Sequence, residues 1–163
     1  YMPMSVVCVT DSIYNAFLAD YSEGKAFMHS HTYAGNPLAC SCALAVIKIL
    51  KRDNIIEKAN ELGQWLSKEF EQRFMQIDKV GGVRHIGLIN ALELVKDRST
   101  KEPFDSSLRL GYRIYQNALK KGLLLRPIGD ILYFNPPLNI KKEELKKAMD
   151  IAYEAITEEL SKI

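Results

Sequence analysis

Between Val83 and Leu160 the sequence alternates twice between a strand pair and a helix. Val83 to Ile86 and Leu88 to Val95 are short, apolar and β-rich, and they join tightly at Gly87. A polar loop from Lys96 to Asp105 follows, and Ser106 or Ser107 opens a helix that runs to Lys121 and stops at Gly122. Leu123 to Arg126 and Ile131 to Asn135 form a second strand pair around Pro127-Ile-Gly-Asp130. Pro136-Pro137 ends that pair, because proline cannot donate to a ladder. A last helix, from about Lys142 to Leu160, carries an apolar stripe of Leu145, Met149, Ala152 and Ile156. Connections this short make the strands antiparallel. A β-β-α-β-β-α order therefore predicts an α+β layer, antiparallel strands covered by helices, for the C-terminal half.

The N-terminal half has a different character. Met4 to Val9 reads as a buried strand, followed by a short helix from Asp11 or Ser12 to Phe17 that ends at Tyr21-Ser-Glu-Gly24. Phe27 to Gly35 reads as irregular. Asn36-Pro37 then starts a helix to about Lys51, since Asn caps free backbone N–H groups and Pro fits the first helical position. This helix is apolar on nearly every face and rich in small residues, which predicts burial against neighbouring backbones. Asn54 to Phe74 is a further helix, with Ile55, Ile56, Ala59, Leu62, Leu66 and Phe70 at helical spacing. One strand and several helices make no balanced sheet. Residues 1–78 therefore read as the edge of a larger α/β domain, and 79–163 as a complete smaller one. The sequence opens inside a strand pattern with Tyr rather than Met and shows no leader, so it reads as a piece of a longer chain.

Composition narrows the function classes. The 163 residues carry a net charge of +2 and no cluster of Lys and Arg interleaved with aromatics, which gives no support to nucleic-acid binding. No apolar run reaches the roughly 20 residues of a membrane span. The three cysteines, Cys8, Cys40 and Cys42, lie in apolar runs without disulfide or zinc spacing. They read as buried small residues in a reducing compartment, the cytoplasm, and no metal site is expected.

The stretch with most chemistry is His29-Ser-His-Thr-Tyr-Ala-Gly-Asn-Pro37. Helix N-termini favour anions, and Thr32, His29 and His31 add side-chain donors beside one. The same residues would also serve simply to satisfy a loop. Likewise Arg126 could be an ion-pair residue at a strand end, Tyr133 a core residue, and Arg84 a partner for Glu93 across the first hairpin.

This stretch resembles the segment before a buried helix in class III, pyridoxal-phosphate-dependent aminotransferases. Tyr1-Met-Pro, Val83-Arg-His-Ile-Gly-Leu-Ile-Asn-Ala-Leu-Glu-Leu94 and Leu125-Arg-Pro-Ile-Gly-Asp-Ile-Leu-Tyr-Phe-Asn-Pro-Pro137 resemble further segments of that family in the same order. The resemblance implies the C-terminal part of a fold-type-I transferase: the tail of the large cofactor domain and the whole small domain. It implies pyridoxal 5'-phosphate as cofactor and a homodimer in which Thr32 reaches the phosphate held by the other subunit, with His31 beside it. It also implies a small-molecule substrate, touched at Ser30, where the family more often has Gly, and held by its carboxylate at Arg126. Within the class, Thr100-Lys-Glu-Pro-Phe104 and Arg126-Pro-Ile-Gly129 with Tyr133 are similar to the biotin-synthesis branch. That branch forms 7,8-diaminopelargonate from 8-amino-7-oxononanoate, with S-adenosyl-L-methionine as amino donor.

The resemblance places the cofactor-bonding lysine upstream of the segment matching Tyr1, and the first lysine here, Lys25, matches no such position. No catalytic residue is therefore expected in this chain, and alone it is expected to be inactive. Two other readings stand: a class III aminotransferase acting on an ω-amino acid, and a non-catalytic binding or assembly module.

Overall fold

The computed structural model describes residues 2–163, and the chain divides after Asp53 into two compact units. Tyr1 of the Tyr1-Met-Pro resemblance lies outside the described residues. The helix Ile55–Phe74 lies in the second unit and packs on the strands that follow it.

The first unit holds two helices, α1 (Asp11–Asn15) and α2 (Pro37–Arg52), and a 3-10 turn at Tyr21–Glu23 that ends on left-handed Gly24. The strand expected over Met4–Val9 does not form: these residues have no regular structure, and Val6 and Val7 are 72% and 85% exposed. An extended segment becomes a strand only against a ladder partner, and among the described residues none lies before Val80. The burial expected for α2 is also corrected. Within this chain only Ala39 is buried, while Leu38, Leu44, Val46 and Ile47 are exposed. Among the described residues the first unit contains no sheet to receive them. Cys8 and Cys42 are exposed for the same reason, and Cys40 is half-buried, so the expected burial of the cysteines is not met.

The second unit is built on a four-stranded antiparallel sheet. Its strands are β1 (Val80–Ile86), β2 (Ile89–Leu94), β3 (Arg126–Ile128) and β4 (Ile131–Phe134), in spatial order β1-β2-β4-β3. The second hairpin is tighter than the sequence suggests: Leu123 to Leu125 stay outside it, and Gly129-Asp130 alone make the turn. Alternation along β2 and β4 sends Leu92, Leu94, Leu132 and Phe134 to one face, all 5% exposed or less. Three helices supply the other side of that core: α3 (Ile55–Phe74), α4 (Leu110–Lys120) and α5 (Lys142–Leu160). Leu66, Phe70 and Phe74 of α3, Ile114 and Ala118 of α4, and Leu145, Met149, Ala152 and Ile156 of α5 join one cluster with the strands. The rings of Phe70 and Phe134 meet edge-on at 5.1 Å. The predicted stripe of α5 is thus the core face.

Close backbone approach seats the first hairpin. A Cβ at Gly63 in α3 would lie 2.5 Å from the carbonyl oxygen of Gly87, so no larger residue fits without moving the turn. On the solvent side, α4 and α5 are tied by charge. Glu159 is 6% exposed and accepts from Arg113 at 3.0 Å and from Asn117 at 3.3 Å, with Lys162 as a further partner. Burial pushes its carboxyl up, but Lys162 and Arg113 outweigh that and hold it below the usual carboxylate range.

The opposite face of the sheet is uncovered in this chain. Ile86, Ile89 and Ile128 are exposed there, as are the side chains of Arg84 and Arg126.

Candidate functional site

The loop before α2 is two overlapping turns. The Ala34 N–H donates to the His31 carbonyl at 2.9 Å, and the Asn36 N–H donates to the Tyr33 carbonyl at 3.1 Å. Gly35 sits between them at φ +71°, where a side chain would be strained. Asn36 then caps α2, its Oδ1 accepting from the N–H groups of Leu38 at 2.9 Å and Ala39 at 3.3 Å. This refines the sequence expectation: two of the helix's own free N–H groups are already taken by the cap. The donors left for an anion are in the turn. They are the Thr32 hydroxyl, the His31 ring, and the backbone N–H groups of Thr32, Tyr33 and Gly35, which have no protein acceptor among the described residues. Ser30, His31 and Thr32 are exposed. A row of rings leads to them: Phe17 to Phe27 at 5.2 Å, Phe27 to His29 at 5.5 Å, and His29 to His31 edge-on at 5.2 Å.

The second unit holds the other site residue. Arg126 opens β3 and lies directly opposite Tyr133 of β4. Direct opposition puts both side chains on one face of the sheet. Tyr133 in turn opposes Ala91 of β2, and Ala91 opposes Arg84 of β1, so a single row crosses the uncovered face. Arg126 forms no ion pair among the described residues. The Arg84–Glu93 pair does not form either: the register sets Glu93 opposite Gly82. Ser30, His31 and Thr32 thus share one loop in the first unit, while Arg126 and Tyr133 share one face in the second.

Two acidic residues outside the candidate site residues organise loops. Asp97 accepts from the Ser99 and Thr100 N–H groups at 2.7 and 3.0 Å and from the Ser99 hydroxyl at 2.6 Å. The Ser99 hydroxyl and these two N–H groups lower its carboxyl to about 2. Asp130 accepts the Gly111 N–H at 3.1 Å. The signal for Asp97 was present in Asp-x-Ser-Thr, an Asx-turn pattern; Asp130 bonds across 19 residues and had no local signal. Among the described residues no cluster of His, Cys, Asp and Glu could hold a metal, and no helix is long and apolar enough to cross a membrane.

The aminotransferase class-III profile matches residues 2–156. The chain belongs to the aminotransferase class-III family. It is 40% identical over 158 residues to the adenosylmethionine-8-amino-7-oxononanoate aminotransferase of Methanocaldococcus jannaschii, covering 97% of this chain and 34% of that protein. The crystal structure of the enzyme so named from that organism superposes with a TM-score of 0.84 at 42% identity, over 91% of this chain and 34% of that one. A PLP-bound aminotransferase mutant from Vibrio fluvialis superposes with a TM-score of 0.80 at 26% identity, over 87% and 31%. The chain spans about a third of the length of the curated relatives it matches.

The turn at His31–Gly35 has the donor chemistry that a phosphate, such as that of pyridoxal phosphate, would need. Its N–H and O–H donors have no carboxylate among them, and the backbone N–H groups of Thr32, Tyr33 and Gly35 lack a protein acceptor among the described residues.

Proposed function

We propose that this chain is the C-terminal portion of a pyridoxal-phosphate-dependent aminotransferase of biotin synthesis. The whole enzyme would transfer an amino group from S-adenosylmethionine to 8-amino-7-oxononanoate, giving 7,8-diaminopelargonate, as a cytoplasmic homodimer. The observation that carries this reading is the 40% identity, over almost all of this chain, to relatives named for that substrate. The pairing of Arg126 with Tyr133 on an uncovered face supports it.

Residues 1–78 would belong to the large domain and residues 79–163 would form the small one. Thr32 and His31 would donate to the phosphate held by the partner subunit. Pyridoxal phosphate, when bound, supplies the electron sink for amino transfer. This chain's part is to bind and orient. Arg126 would take the carboxylate of the acceptor through two parallel hydrogen bonds, a geometry that a guanidinium matches and an ammonium does not. Fixing that remote group holds the acceptor in register for reaction. Ser30 would line the same substrate. The uncovered apolar side of α2 would meet the rest of the large domain.

The test is a donor and acceptor screen on the full-length protein. Turnover of 8-amino-7-oxononanoate with S-adenosylmethionine is expected, with the 163 residues alone inactive. Turnover confined to ω-amino acids would replace this reading with the other aminotransferase branch, and no turnover with any pair would leave a binding module.

A further inference from the structure

The turn between β3 and β4 is latched to α4. Asp130 accepts the Gly111 N–H through Oδ1 at 3.1 Å, and its carbonyl accepts the Leu94 N–H at 3.0 Å, so the turn is tied to a helix start and to the end of β2. That helix start has no side-chain cap of its own, and Gly111 carries one of its free N–H groups. Asp130 therefore caps α4 from a distant part of the sequence. Two further features are built around this bond. A Cβ on Gly111 would lie 2.1 Å from the Gly129 carbonyl oxygen, so only glycine lets the helix and the turn approach this closely. Arg109, the residue before α4, is held at φ +47°, a conformation unfavourable for a side-chain-bearing residue, with its guanidinium 4.3 Å over the Tyr112 ring. The backbone is bent at this point, and the bend leads directly into the bond to Asp130.

The reason lies two strand positions away. β3 is a three-residue edge strand that pairs only with β4, and its middle residue, Pro127, faces Leu132 at a position whose backbone points away from the ladder, so only Arg126 and Ile128 can bond to the neighbour. So weak a ladder does not fix its own register. A slip of one residue would turn Arg126 to the opposite face, away from Tyr133. We infer that Asp130 is a positioning residue for the substrate carboxylate: by latching the turn to Gly111, it holds the Arg126 guanidinium beside Tyr133. This rests on the reading of Arg126 as the carboxylate clamp.

The experiment is a double-mutant cycle in the full-length enzyme, reading KM for the keto-acid acceptor and kcat separately. Asp130→Ala is expected to raise KM about 5- to 20-fold with kcat within about twofold, the loss of part of a charge-assisted contact. Asp130→Asn should recover most of the loss, because its amide oxygen can still accept from Gly111. In an Arg126→Ala background, Asp130→Ala should add nothing further. If Asp130→Ala is not recovered folded, Asp130→Gly removes the same acceptor at a turn position that tolerates glycine. Equal effects of Asp130→Ala with and without Arg126, or an unchanged KM while Arg126→Ala raises it, overturns the inference. An unchanged KM in Arg126→Ala itself instead overturns the clamp on which it rests.

Discussion

At the scale of single residues, Thr32 and Arg126 illustrate what side-chain chemistry could and could not announce. Thr32 stood out because a hydroxyl and two histidines precede Asn36-Pro37, a strong helix start. The structure then moved the donors from the helix end to the turn, since Asn36 accepts the Leu38 and Ala39 N–H groups itself. The cofactor-phosphate role proposed for Thr32 predicts that Thr32→Val, which keeps shape and removes the donor, weakens cofactor binding in the full-length dimer about 10- to 150-fold, the range for a charge-assisted hydrogen bond. A titration of apoenzyme with pyridoxal phosphate measures it, and an unchanged affinity would make Thr32 a loop residue only. The opposition of Arg126 to Tyr133 was harder to foresee. It depends on a two-residue turn at Gly129-Asp130, whereas the sequence pattern suggested a longer loop with Arg126 at the end of its strand.

At the scale of elements, periodicity was enough for the second unit. The stripe Leu145, Met149, Ala152, Ile156 on α5 is wholly buried, and the order β-β-α-β-β-α is the observed one. It was not enough for Met4–Val9 or for the burial of α2, because composition says that a segment wants a neighbour and not whether one is at hand. Loops were legible only where the partner is local, as at Asp97. Its hydrogen bonds hold its carboxyl at about 2, below the value of an unfolded chain. The unfolded state therefore binds more protons between the two values, so this contribution is present above the unfolded value of roughly 4 and is lost as pH falls toward the folded one. Melting curves of wild type and Asp97→Asn should accordingly differ at neutral pH and converge in acid. A constant difference across that range would mean that the Asp97 charge adds nothing to stability.

At the scale of the whole molecule, the two units divide the proposed labour: a donor-rich turn in one and an arginine on a sheet face in the other. Family membership was legible from motifs because those motifs mark backbone requirements, such as Asn36-Pro37 at a helix start and Pro136-Pro137 at a strand end. The division after Asp53 was not, since α3 looks like any amphipathic helix until its buried face, Leu66, Phe70 and Phe74, is matched to Leu92 and Phe134. The role proposed for Arg126 is to recognise the acceptor's carboxylate. Its most direct test compares kcat/KM for the keto acid and for its methyl ester in the full-length enzyme and in Arg126→Ala. A preference of roughly 10-fold or more for the free acid is expected in the wild type, from the loss of a charge-assisted bond, and almost none in the variant. Equal discrimination by both proteins would contradict it.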